Sequence, residues 1–185
     1  MTVKPKILKL IVTALFVGLT SVTSAAAQSG EAELLAQLQD APESEAKRLE
    51  RELTLIWGNS GSAAMDLLLQ RGRDALEAED NSRAIEHLSA LTDHAPNFAE
   101  GWHTRATAFF RAGLYGPALD DLERALTLNP NNFNAIFGLG VMMQELGDLQ
   151  RAADAYDLVL DLNPHHERAK EARERLAGLG IGQTL

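Results

Sequence analysis

At 185 residues, with 45% hydrophobic, 23% charged and only 5% aromatic side chains, the chain has the composition of packed helices, not of a disordered segment or an aromatic-rich β-sandwich. The absence of cysteine excludes disulfide scaffolding, thiolate zinc sites, cysteine nucleophiles and lipid attachment through an amino-terminal Cys. A formal charge of −9 and a pI near 5.0 argue against nucleic acid as a partner, because phosphate binding needs clustered positive charge.

In chain order, residues 1–27 read as a secretory signal peptide. Lys4, Lys6 and Lys9 form its positive start, Leu10 to Leu19 its apolar stretch, and Ala25-Ala26-Ala27 its cleavage site, with Gln28 as the new terminus. The apolar stretch is shorter than the ~20 residues a spanning helix needs, so cleavage is expected over stable membrane insertion. The protein is thus expected in the periplasm or outside the cell.

Residues 28–64 form an amino-terminal helical segment and linker. Glu31 to Gln39 and Glu43 to Trp57 are two helical stretches parted by Pro42. Ala46, Leu49, Leu53 and Ile56-Trp57 make an apolar stripe on the second, which is expected to pack as a cap on the first repeat unit. Gly58 to Ser62 reads as a loop, with Ser62 as N-cap of the next helix. No strand precedes that loop, so it does not resemble a serine nucleophile elbow.

A period of 34 residues follows. Pro96, Pro130 and Pro164 stand on it, as do Ala84, Ala118 and Ala152, the column Gly72, Ala106 and Gly140, and the column Leu88, Leu122 and Tyr156. It divides residues 65–166 into units at 65–98, 99–132 and 133–166. Within each, apolar or small residues recur at helical spacing: Leu68, Gly72 and Ala75, then Trp102, Ala106 and Phe109, then Ile136, Leu139, Gly140 and Met143. Breakers part the two helices of each unit at Glu79 to Ser82, Gly113 to Pro117 and Gly147-Asp148. Residues 167–185 continue as a charged capping helix, Glu167 to Ala177, and a loose tail with Gly178, Gly180 and Gly182.

These columns resemble the tetratricopeptide repeat (TPR) family, whose pattern sets an aromatic, Leu-Gly and another aromatic on the first helix, then Ala and an aromatic on the second before a closing Pro. The middle unit supplies Trp102, Phe109, Ala118, Ala125 and Pro130, and the third supplies Leu139-Gly140, Ala152, Tyr156 and Pro164. The first is weaker, with Leu68 and Arg71 in place of the aromatic and the leucine. The resemblance implies an all-α fold, a right-handed α-solenoid of three TPR helix pairs with amino- and carboxyl-terminal capping helices.

The residues offer little chemistry of their own. His87 and His94 are separated by about 10.5 Å of helix rise, too far to share a metal, and His165-His166 falls at the turn expected after Pro164, where satisfied surface histidines are commoner than a metal site built across helices. Gly138-Leu139-Gly140 lacks the preceding strand and third glycine of a dinucleotide site. Acid pairs such as Asp120-Asp121 and Glu50/Glu52 read as solvated faces, since neighbours on a helix diverge. No catalytic residue, metal or cofactor is expected.

The resemblance does imply a binding surface, because TPR first helices line a concave groove that holds peptides or helices of partner proteins. Carried across by position, it holds Asp66, Leu69, Arg73, Leu76 and Glu77 in the first unit. The second gives Glu100, His103, Thr107, Phe110 and Arg111, and the third Asn134, Phe137, Val141, Gln144 and Glu145. Phe110 and Phe137 lie off the core stripe and are expected as exposed anchors, with Arg73 and Arg111 as rim charges. The family's clamp for acidic carboxyl termini is expected to be absent, since Leu69, Arg73, Thr104, Asn134 and Gly138 stand at its positions. The function expected is a non-enzymatic periplasmic scaffold that binds a protein or peptide of the envelope. The alternatives are a self-associating subunit, and less readily an enzyme accessory domain.

Overall fold

The computed structural model describes residues 30–182; the signal peptide expected at 1–27 lies outside them. Among the described residues there are helices and no strands. They are α1 (30–40), α2 (Glu43–Trp57), α3 (Ala63–Glu77), α4 (Asn81–His94), α5 (Ala99–Arg111), α6 (Tyr115–Leu128), α7 (Phe133–Glu145), α8 (Leu149–Leu162) and α9 (Glu167–Gly178). The pairs α3–α4, α5–α6 and α7–α8 stack as a right-handed solenoid, and α9 stands 34 residues after α7, in the place of a fourth first helix.

Two columns of the 34-residue lattice explain why each pair closes. Gly72, Ala106 and Gly140 present almost no side chain to the second helix, and Leu88, Leu122 and Tyr156 fill the space opposite. A third column reverses the chain: Glu79, Gly113 and Gly147 have φ of 58°, 75° and 82°, the left-handed conformation that ends the first helix of each unit. Asp80 and Asp148 then cap the second helices, accepting from the backbone N–H of Arg83 and Arg151. Ser62 sits at the N-cap position of α3 but makes no side-chain cap bond; Asp66 instead accepts from the Ser60 N–H and hydroxyl.

The amino-terminal hairpin α1–α2 corrects one expectation. Its apolar face does not cap the first unit but joins the core of the third unit and α9, where Trp57 meets Phe133 edge-on at 4.9 Å. Polar contacts fix it there. Asn163 Nδ2 donates to Glu50 Oε1 at 2.6 Å, Gln39 Nε2 donates to the Asp161 carbonyl, and a ring nitrogen of His165 lies 2.8 Å from the Ala41 carbonyl. The first unit has no seat for such a hairpin. In the second and third units the face turned toward the preceding pair carries Gly101, Thr104 and Ala108, or Ala135 and Met142, all buried. The matching positions of α3 are Leu67, Gln70 and Asp74, exposed and mostly polar, so that end of the solenoid is already dressed for water.

Asp121 is a second correction. It is 4% exposed and takes a two-pronged bond from Arg105 at 2.7 and 2.8 Å, an ion pair between α5 and α6 and not a solvated face. Arg105 also donates to Thr92 of α4 and lies over the Trp102 and Phe109 rings, so one cation joins three helices.

Candidate functional site

The first helices present one face to the concave side, and there a cavity of about 340 Å³ opens between α5, α7 and the start of α9. Helical spacing brings His103, Thr107, Phe110 and Arg111 of α5 to it, and Asn134, Phe137 and Val141 of α7. Ala106, Leu122 and Met142 close its floor. His166 and Arg168 complete the wall, and the sequence reading missed both: it placed His166 in the turn after Pro164 and Arg168 in a plain solvating helix. The lattice held the signal, because Arg168 stands 34 residues after Asn134.

The expected groove residues of the first unit, Asp66, Leu69, Arg73, Leu76 and Glu77, do not line this cavity, nor do Glu100, Gln144 and Glu145. Leu69 is 2% exposed in the core of the first unit, with Leu76 beside it. Arg73 is held at 2.6 Å by Glu100, and Gln144 is exposed and accepts from the Tyr156 hydroxyl at 3.2 Å. Phe137 does line the cavity, yet it is not the free-standing anchor expected. It is 8% exposed, with Tyr156 at 5.5 Å, His166 at 4.9 Å and the Arg168 guanidinium 4.6 Å from its ring. Phe110 remains half-buried, resting against Tyr115 at 5.6 Å.

Glu100 organises the base of the groove. Its carboxylate accepts from Arg73 of α3 and from Asn132 just before α7, and lies 3.1 Å from His103 Nδ1, so it ties the first helices of all three units. Burial alone would raise its pKa, but the charges and hydrogen bonds of His103 and Arg73 outweigh this and hold it below the ordinary 4.5. His166 shifts downward from 6.5, chiefly by burial, against the opposing pull of Glu50. The neutral ring suits its position, since Nδ1 accepts the Ala169 N–H at 3.1 Å and caps α9.

The ionisable side chains lining the cavity are His103, Arg111, His166 and Arg168, with no carboxylate among them, in a chain of net charge −9. Arg111 Nη1 donates to the Leu76 carbonyl at 2.9 Å. Neither Arg111 nor Arg168 has a carboxylate partner among the described residues. The described residues also contain no group of three His, Asp or Glu side chains arranged to hold a metal ion. The site is equipped to grip a solute by shape, apolar contact and positive charge.

The 34-residue lattice, the small-against-large pairing and the concave first-helix face find their counterpart in a known family model. The model described as Tetratricopeptide repeat matches residues 69–132 and 103–167. The chain belongs to the tetratricopeptide repeat family. A TPR repeat-containing protein of Rhizobium etli is 33% identical over 137 residues, 72% of this chain and 67% of that one. The small glutamine-rich tetratricopeptide repeat-containing protein 2 of Mycosarcoma maydis is 29% identical over 59% of this chain, which spans only 31% of that protein's length. Among solved structures, the first TPR of Spaghetti (RPAP3) bound to the HSP90 peptide SRMEEVD is similar in fold, with a TM-score of 0.59, 23% identity, and coverage of 62% of this chain and 91% of that one. Among the described residues no helix of this TPR chain is long and apolar enough to cross a membrane.

Proposed function

We propose that this TPR protein is a non-enzymatic scaffold of the bacterial envelope that binds a segment of a partner protein in its concave groove. The observation that carries the reading is the cavity between Phe110, Val141 and Phe137, on the face where the first helices of the repeat converge. The similar TPR domain bound to an HSP90 peptide supports it, since it pairs the same fold with a peptide ligand. A concavity in which apolar and polar groups are interleaved, as Phe110, Phe137 and Val141 are with Thr107, Asn134 and the two arginines, can hold a side chain and its polar flanks. Export rests on the Lys-rich start, the short apolar stretch and Ala25-Ala26-Ala27.

A photo-crosslinking amino acid at Val141 tests the groove in the producing cell. The same partner band should form from Val141 and from Thr107 but not from Asp154, exposed on α8. Equal crosslinking from Asp154 would remove the groove from the reading. Mass spectrometry of the native protein should find Gln28 at its amino terminus, and an intact Met1 would remove the export.

A further inference from the structure

The proposed function leaves the partner's chemistry open, and the groove's own charges narrow it. Arg111 ends α5, and Arg168 is the second residue of α9, so they border the cavity from first-helix positions on either side of α7. Phe110, Val141 and Phe137 lie between them. Arg73 is spent on Glu100, and Arg105, turned toward α4 and α6, is spent on Asp121. His103 likewise lies against Glu100.

Resting on the reading of the groove as a peptide site, the geometry points to an internal acidic segment of a partner protein, with carboxylates on both sides of one large apolar side chain. The apolar side chain enters the cavity, and the flanking carboxylates meet Arg111 at one end and Arg168 at the other. An internal segment is favoured over a free carboxyl end by the residues that stand where such an end would be gripped. The positions from which related TPR domains grip such an end hold Leu69, Arg73, Thr104, Asn134 and Gly138, of which Leu69 and Thr104 are buried and Arg73 is tied to Glu100. Charge selects the segment as well as attracting it. A chain of net charge −9 repels acidic peptides everywhere except where its carboxylates are neutralised or absent, as they are in this cavity.

The test is selection of short random peptides, displayed on phage, against the biotinylated full-length chain. Enriched sequences should place Asp or Glu on both sides of Phe, Trp or Leu. The best of them, synthesised with an amidated carboxyl end and a fluorescein label, should bind as well as its free-acid form. The double variant Arg111→Glu and Arg168→Glu should weaken it by about tenfold or more, because reversing the charge sets like against like. Phe110→Ala, checked for unchanged helical content, separates the two levels of the argument. Enriched peptides indifferent to Phe110→Ala bind elsewhere, which overturns the groove reading and this inference together. Peptides that need Phe110 but are basic or neutral, or ignore the double reversal, overturn only the acidic specificity. Loss of binding on amidation assigns the site to a chain terminus, and a dimer of this chain that the peptide dissociates assigns it to a second copy; either result overturns the inference.

Discussion

The ring of Tyr156 occupies the space that a side chain on residue 140 would need. A Cβ placed on Gly140 would lie 2.5 Å from Tyr156 Cε1 and 2.8 Å from Cδ1. The first unit repeats the relationship with Gly72 and Leu88, where the closest approach is also 2.5 Å. The middle unit has traded it for Ala106 against Leu122, both buried. Bulk is therefore shared between the two helices of a unit and not fixed at either position.

Gly140→Ala should destabilise the protein by roughly 1–3 kcal/mol, because the ring is held on its other side by Phe137 and cannot swing away freely. Adding Tyr156→Leu recreates the middle unit's pair and should return part of that loss. Thermal melts of the two single variants and the double variant measure the coupling. Strict additivity would mean the two side chains do not share this space.

Glu79→Gly should raise stability by about 0.5–1 kcal/mol. Its φ of 58° is shared by Gly113 and Gly147 at the equivalent turns, where glycine carries no steric penalty. A denaturant midpoint that stays put or falls would show that this turn has another source of support.

Phe110→Ala and Phe137→Ala should part company in a melting experiment. Truncating Phe137, 8% exposed and packed on Tyr156 and His166, should cost about 3 kcal/mol or more. Phe110 is only half-buried, packed at the edge of the Ala106, Leu122 and Met142 cluster with its ring against exposed Tyr115, so its loss should cost less, about 1–2 kcal/mol, and be felt mainly in binding. Equal losses would contradict the difference in their surroundings.

Acid should loosen the groove through Glu100. Its folded pKa lies below the ordinary 4.5, so the unfolded chain takes up the proton first as pH falls. The stability it contributes is complete above that ordinary value and is lost as pH falls through it toward the folded one. Glu100→Gln should cost roughly 1–3 kcal/mol at neutral pH and flatten the acid limb of the stability curve. An unchanged acid limb would remove Glu100 from this account.

His166 acts earlier on the same descent. Its folded pKa is also depressed, here from 6.5, so its contribution is whole above 6.5 and declines as pH falls below it. Asn132 caps α7 at the equivalent position, accepting from the Asn134 and Ala135 N–H groups, and it does not titrate. His166→Asn should keep a cap on α9 and reduce the slope of stability against pH just below 6.5. Urea melts at a series of pH values compare the slopes, which lost ring packing does not affect.

The repeat and its turns were legible because three units state the same rule, and a column such as Glu79, Gly113 and Gly147 confirms itself. The groove was legible only as far as helical spacing carries. It brings Phe110 and Val141 to one face but says nothing of what leans over them, so the burial of Phe137 under His166 and Arg168 escaped it. Leu69 escaped for a related reason, since an apolar side chain at a groove position turns inward when the unit beneath offers it contacts. The seat of the hairpin was invisible, because nothing local in α2 records that Glu50 will meet Asn163.

That meeting spans 113 residues, and it alters how the solenoid is completed. A repeat array ordinarily asks of each unit only that its neighbour be present, so it can grow along the chain as it is made. Here the stripe of Leu49, Leu53 and Trp57 leaves the ribosome first, while Phe133, Asn163 and His165 on its docking site are synthesised over a hundred residues later in part. Until then its apolar face has no place to rest and must be kept from other surfaces. Removal of α9 and the turn before it would release the opposite end of the chain, a long-range dependence foreign to an array of independent repeats. A segment made early is thus the last to find its place.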